Sequence, residues 1–408
     1  MAMTNTIRSI ALKNFLSFGP MTEPLELRSL NVVIGPNGSG KSNLMEAFEL
    51  LRSAPSQLVA PIREGGGVEE WIWKGGNSQF RPAASMEVLV DYPLYKRSLR
   101  YRLAFSAVGQ RFEINDEVLE NEFCDDPQHH SQPFFYYRFN GGRPLLSVSK
   151  VEDREDRKEL PKEPHRELRK EDIDLERSIL AQRRDPDHYP ELTWLADMLG
   201  AMRLYRDWNF GRYTPPRLPQ RADGPNRYLE PDAGNLALVL SRFSEDMSVK
   251  RLLLDWLQRL YEGIDDFYVS IAGGTVQVFF REWGRPIPAT RLSDGTLRYL
   301  CLLAILLNPE VPPFVCIEEP ELGLHPDMLP DVAELLRTAS NKTQILVTTH
   351  SSALVDALSN TPDSIVVAER LEGATTLQRL EKEKLALWLE KYSLGELWIR
   401  GDIGGTRW

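Results

Sequence analysis

Two apolar patterns succeed each other along this chain: short unbroken runs, and stripes that return every three or four residues. Leu30, Val32, Val33 and Ile34 form a run that predicts a buried strand, and Leu44, Ala47, Phe48 and Leu51 follow at helical spacing. Phe314-Val315-Cys316-Ile317 is continuous, as expected of a strand buried on both faces of a parallel sheet. Ile345, Leu346 and Val347 form another run, followed by a helix carrying Leu354, Ala357 and Leu358. Leu297, Leu300, Cys301, Ala304 and Leu307 lie on one helical stripe. Further helices are expected near 173–184, over 191–203 (Leu192, Leu195, Met198, Leu199), over Ser248–Tyr261 and over Leu380–Leu389. Asp266–Phe280 reads as a strand pair around Gly273-Gly274, and Ser364–Ala368 as a last strand.

The junction between the first run and its helix carries chemistry. Residues 35–42 read Gly35-Pro36-Asn37-Gly38-Ser39-Gly40-Lys41-Ser42, with Asn43 next. A strand, a glycine-rich loop, and Lys-Ser opening a helix form the phosphate cradle of P-loop NTPases. Glycines let backbone N–H groups turn toward phosphate oxygens, and the helix N-terminus adds partial positive charge. Lys41 is then placed for the β and γ phosphates of ATP, and Ser42 for Mg²⁺.

Three later segments narrow the class: Leu292-Ser293-Asp294-Gly295-Thr296, Phe314 to Glu321 (FVCIEEPE), and Leu346 to Ser351 (LVTTHS). In this order they resemble the signature loop, Walker B strand and switch histidine of ABC-type ATPase heads. They are most similar to the RecF/OLD/SMC branch and, within it, to bacterial ATPases with an AAA_21-type head. The opening Lys13-Asn14-Phe15-Leu16-Ser17-Phe18 resembles that branch's first strand. The likeness covers roughly the first hundred and the last hundred and eighty residues.

The resemblance implies an α/β fold. It would be a P-loop NTPase with an ABC/SMC-type head and a central, mostly parallel sheet flanked by helices. An antiparallel β subdomain and a mixed insertion would complete it. The head is expected over 1–110 and 216–408, and the insertion over 111–215. Glu318, at the strand's C-terminal end, is the expected metal ligand with Ser42. Many such relatives carry Asp there, and the extra methylene of Glu318 allows a metal contact through water. Glu319 is the expected general base, and His350 the switch that contacts the γ-phosphate or the attacking water. Ser293 is a natural N-cap, and Gly295 permits close backbone approach. With Asp294 they form the loop that such heads present to the nucleotide of a second subunit. The implied assembly is a head-to-tail homodimer sandwiching two ATP molecules, with larger assemblies left open. Glu321-Leu322-Gly323-Leu324-His325-Pro326 occupies the place of the D-loop. Gln57 and Gln79 are candidates for the Q-loop, neither in a convincing context.

Bulk properties fit a large cytoplasmic enzyme. The chain has 408 residues, 42% of them hydrophobic and 26% charged, which is ordinary for a folded soluble protein. A net charge of −10 disfavours a globally basic nucleic-acid binder but leaves room for a local basic groove. Cys124, Cys301 and Cys316 show no paired metal spacing and suggest no disulfides. Leu300–Leu307 is the longest apolar run, too short to span a bilayer, so no membrane is expected.

Lys41 and Glu318 are 277 residues apart. SMC proteins fill that interval with a coiled coil, but here prolines punctuate it and no sustained heptads appear. Residues 151–176 carry 11 acidic and 7 basic side chains, which predicts a solvated, mobile flap over about 150–172, with a partner-binding surface as the alternative. Arg203 to Tyr213 (RLYRDWNFGRY) alternates aromatic and arginine residues. The pattern fits a strand with one buried aromatic face, or a stacking surface for single-stranded nucleic acid. After His350 only 58 residues follow, too few for the TOPRIM nuclease domain of OLD-type relatives. Nuclease or toxin chemistry is therefore expected in trans, on a small effector protein. Leu394, Leu397 and Trp398 would either dock such a partner or pack on their own head.

Three functions follow from the resemblance. The first is an ATP-hydrolysing switch that controls a separately encoded effector in anti-phage or genome defence. The second is a RecF-like DNA-binding ATPase in repair. The third is an ATP-bound scaffold with little turnover.

Overall fold

The computed structural model describes residues 6–75, 82–93, 97–124, 132–140, 142–147 and 165–405. They fall into two compact units, one over Arg203–Ile365 and Glu381–Ile403, the other within Asn5–Met202, Val366–Leu380 and Gly404–Trp408.

The unit that contains the P-loop is built on an eight-stranded sheet. Its order is Leu25–Glu26, Ile7–Lys13, Ala84–Tyr92, Arg97–Val108, Arg111–Asn121, Phe135–Asn140, Arg143–Ser147 and His165–Glu167. Every neighbouring pair is antiparallel. Ala84–Tyr92 shows why: Ala84, Met86, Val88, Val90 and Tyr92 are buried and the residues between them are not, the period-two signature of a sheet with one core face. Phe15 meets Trp71 and Phe105 edge-on at 5.6 and 6.3 Å between ring centres, which pins the short helix Val68–Trp71 to this sheet. Leu30–Ile34, buried throughout, lies beside Ile365–Leu371, which pairs with Ala374–Arg379 in a hairpin. The helix Lys41–Ser53 leaves the P-loop and packs against Pro190–Ala201. Position 110 falls at the turn between two paired strands of the sheet.

In the other unit three strands run parallel. Arg203–Tyr205 pairs with Phe314–Glu318, which pairs in turn with Gln344–Thr348. Helices Asp294–Leu306, Leu329–Ala339 and Leu236–Glu245 supply most of the apolar cover. A smaller antiparallel sheet contains Ile264–Ala272 and Thr275–Glu282, extended by Gln220–Arg221 and Arg285–Pro288.

Several elements differ from the sequence expectation. In place of a helix over 173–184 there is only Ile179–Gln182, because the Leu175 carbonyl accepts from Ile114 N–H and so belongs to a sheet edge. The flap expected over 150–172 lies outside the described residues as far as 164. From there His165–Glu167 pairs with Arg143–Ser147, and Lys170–Asp172 forms a 3-10 turn. The strand suggested for Arg203 to Tyr213 stops at Tyr205. Leu394 and Leu397 are fully buried and Trp398 is 7% exposed. Their helix, Leu394–Arg400, packs on Ser352–Asp356, so these side chains serve their own unit.

Candidate nucleotide-binding and hydrolytic site

The P-loop has the backbone its sequence requires. Gly35, Gly38 and Gly40 have φ of 149°, 78° and 104°, which disfavour side chains. A Cβ on Gly35 would stand 2.2 Å from the carbonyl oxygen of Ala368, and one on Gly40 the same distance from Thr375 Oγ1. The loop is thus pressed onto the Ile365–Arg379 hairpin. Thr375, fully buried, donates to the carbonyl of Ser39 at 2.8 Å, and its hydroxyl lies 2.7 Å from Ser17 Oγ. Asn43 Nδ2 donates to the same Ser17 at 2.7 Å. Lys41 is 6% exposed and curls over the loop, donating to the carbonyls of Gly35 (2.8 Å) and Pro36 (3.0 Å). Gly40 caps the helix without a side chain, and Ser39 Oγ is buried with no hydrogen-bond partner. An open helix N-terminus, an orphan hydroxyl and a curled lysine suit a phosphate chain.

The second unit gathers the acidic and switch residues. Glu318 ends its strand half-buried, and its Oε2 accepts from Arg206 Nε at 3.0 Å. Glu319 follows with φ of 46°, a left-handed conformation that glutamate seldom adopts. Its Oε1 lies 3.4 Å from His350 Nε2. Glu321 Oε1 accepts from Thr349 Oγ1 at 2.5 Å and from the N–H of His350 at 3.0 Å. Burial raises the pKa of Glu321 above the usual carboxylate value.

Ser293 accepts from Thr296 N–H at 3.0 Å and caps the helix Asp294–Leu306 as expected. Ser293 and Asp294 are exposed. A Cβ on Gly295 would lie 2.7 Å from the carbonyl oxygen of Gly323, so the signature and D-loop segments touch backbone to backbone. Arg217, 6% exposed, anchors this loop: it donates to the carbonyls of Phe210 (2.8 Å) and Leu292 (2.6 Å) and pairs with Asp294. Of the aromatic residues after Tyr205, Trp208 and Phe210 face inward, while Tyr213 is exposed. Trp208 and Phe210 cover the guanidinium of Arg298 at 5.2 and 5.6 Å, and burial pushes that guanidinium below its ordinary pKa.

Glu318, Glu319 and His350 therefore meet in one unit, with Ser293, Asp294 and Gly295 on the loop beside Gly323. Gly35 to Asn43 form the cradle of the other. Of the Q-loop candidates, Gln57 is exposed ahead of the helix Val59–Glu64, and Gln79 lies outside the described residues. Sequence reasoning missed Thr375, Arg217 and Arg298, which no local motif marks, and read Arg206 within the aromatic–arginine run but not as the partner of Glu318.

The family model for AAA_21, described as "AAA domain, putative AbiEii toxin, Type IV TA system", matches residues 30–356. The chain belongs to the AAA_21 family. Among curated proteins this AAA_21 chain is 33% identical over 102 residues to the chromosome partition protein Smc of Clostridium kluyveri, covering 24% of this chain and 8% of that one. It is 34% identical over 85 residues to Smc of Mycobacterium tuberculosis, covering 21% and 7%. The matched stretch thus spans less than a tenth of each relative's length.

Solved structures extend the likeness to the whole fold. An Smc head bound to the C-winged helix domain of ScpA matches with a TM-score of 0.56 at 14% identity, covering 94% of this chain and 99% of that one. An Smc head with an extended coiled coil, bound to the C-terminal domain of ScpA from Pyrococcus furiosus, gives 0.56 at 12%, covering 95% and 99%. The AAA_21 chain is therefore an α/β P-loop ATPase head of the ABC/SMC type. Among the described residues no helix is long and apolar enough to cross a membrane.

Proposed function

We propose that the chain binds and hydrolyses ATP and works as a switch. Two copies close head to tail over two nucleotides, and the closed state controls a separately encoded nuclease or toxin in bacterial defence. The observation that carries the hydrolytic part is the pairing of Glu319 with His350 at 3.4 Å, at the end of a buried strand. Glu319 takes a proton from the attacking water as general base. His350 orients that carboxylate and the water beside it. Lys41 and the N–H groups of Gly38 to Ser42 hold the phosphates, and the exposed Ser293 and Asp294, with Gly295, serve the partner's γ-phosphate. Ser42 and Glu318 would hold Mg²⁺, which neutralises phosphate charge when bound.

The family description, which names a putative AbiEii toxin and a Type IV TA system, supports a role in such a system. Smc heads of this fold are also seen bound to a domain of ScpA. The inward packing of Trp208 and Phe210 leaves Tyr213 as the exposed aromatic of the run Arg203 to Tyr213, which supports the protein-partner reading over a stacking surface for nucleic acid. One contact favours the reading with little turnover: Arg206 already sits on the carboxylate expected to hold the metal.

The test is purification of Glu319→Gln from its native host with ATP and Mg²⁺, with mass spectrometry and a nucleic-acid stain. A stoichiometric small protein is expected. Bound DNA without a protein partner would instead make this a repair-type clamp. A parent chain that turns over no ATP would leave the scaffold.

A further inference from the structure

Glu319 must keep an unfavourable backbone conformation, and the structure shows what keeps it there. Its N–H donates to Thr348 O at 2.9 Å. Its carbonyl oxygen accepts twice, from Leu322 N–H at 3.2 Å and from Arg298 Nη1 at 3.1 Å. The first two bonds belong to the strand end and the turn behind it. The third comes from a different element, the helix Asp294–Leu306 that begins at the signature loop.

Arg298 is unusual for where it stands. It is 6% exposed on a helix whose neighbouring positions are apolar. Buried arginines are rare without partners, and here the partners define an orientation. Trp208 and Phe210, 5.8 Å apart, flank the guanidinium. A planar cation against aromatic rings has little rotational freedom, and lysine does not reproduce it. Arg217 secures the same segment from behind by donating to the carbonyl of Phe210 while also holding Leu292 and Asp294.

Granted the hydrolytic reading above, we propose that Arg298 is a positioning residue that holds Glu319 in its left-handed conformation and ties the general base to the helix bearing the signature loop. The loop serves a nucleotide on the second protomer, while Glu319 serves the nucleotide of its own. Engagement of the loop thus bears on the base through one side chain, and each site senses closure at the other.

The test uses the full chain with Arg298→Met and Arg298→Lys. Arg298→Met should lower kcat at least tenfold, while KM for ATP and ATP-dependent dimerisation in light scattering stay within twofold of the parent. Arg298→Lys should fall between. Unchanged kcat would overturn the proposal. So would loss of dimerisation in step with kcat, which would place Arg298 in support of the signature loop alone. A second readout does not need turnover. The NMR signal of the His350 Cε1–H group, identified by its loss in His350→Gln, should move in Arg298→Met as it moves in Glu319→Gln. A signal that stays at the parent position would overturn the positioning role. A parent without turnover would defeat only the hydrolytic reading, and the NMR result would still decide this one.

Discussion

The carboxylate of Glu321 holds the backbone of His350: Oε1 accepts from the His350 N–H at 3.0 Å and from the neighbouring Thr349 hydroxyl at 2.5 Å. The imidazole leaves this anchored backbone toward Glu319. Two acidic side chains of one short turn thus divide the work, Glu321 fixing the main chain and Glu319 facing the side chain. Glu321→Ala would strand the hydroxyl of Thr349, which is fully buried, a loss of about 1–3 kcal/mol. We expect urea unfolding to show that loss, with kcat reduced at least tenfold. An unaltered kcat would remove Glu321 from the support of the switch.

Glu319 itself separates stability from activity. A non-glycine residue in the left-handed region costs of order 1–3 kcal/mol, and it persists because the surroundings enforce it. Glu319→Gly should therefore unfold at slightly higher denaturant concentration while ATP turnover disappears. Glu319→Gln should bind ATP, lose turnover and accumulate as a closed dimer. A monomer at saturating ATP and Mg²⁺ would sink the sandwich, and turnover at the parent rate would sink the base.

These contrasts show what was legible in the chain. The P-loop, its strand and its helix were legible because all of their determinants lie within a few residues. The strand Phe314–Glu318 and the capped helix after Ser293 were legible for the same reason. Thr375 was not: it reaches Ser39 from 336 positions away, and nothing near it spells a motif. Arg298 reads locally as a polar break in an apolar stripe, and only tertiary packing turns it toward Glu319. The aromatic residues of Arg203 to Tyr213 were legible as buried or stacking groups but not as the cover of a buried cation. Periodicity failed over 173–184 because Leu175 spends its backbone on a sheet edge, which overrides helix propensity.

Thr375 gives the cleanest test of the P-loop frame. Thr375→Val keeps the shape but removes the donor to Ser39 O, a bond of about 0.5–1.5 kcal/mol. We expect a several-fold loss of affinity for a fluorescent ATP analogue with little change in melting. Lys41→Ala should abolish detectable binding or turnover. Equal effects of the two variants would mean that Thr375 holds the fold and not the cradle.

Gly295 sets the approach of the signature loop to the D-loop. Gly295→Ala places a methyl group 2.7 Å from the Gly323 carbonyl oxygen, and backbone must move to relieve it. Loss of ATP-dependent dimerisation is expected while ATP still binds, because the P-loop is untouched. Dimerisation at the parent level in analytical ultracentrifugation would show that the loop does not need this contact.

The last prediction concerns pH. Glu117 is 2% exposed and receives hydrogen bonds from Tyr101 (2.8 Å), Ser178 (2.5 Å) and the Ile179 N–H (3.0 Å to Oε2). Burial outweighs these bonds and pushes its pKa up to about 7 from 4.5. Between those values the folded chain holds a proton that the unfolded chain has lost. Stability therefore falls as pH rises through this window, by about 3 kcal/mol in all. The group's full contribution is present below pH 4.5 and gone above pH 7. Glu117→Gln carries no titrating proton and offers a carbonyl oxygen to the same donors. Its urea midpoint should vary less between pH 5 and 8 than that of the parent. Parallel profiles would mean that Glu117 ionises freely in place.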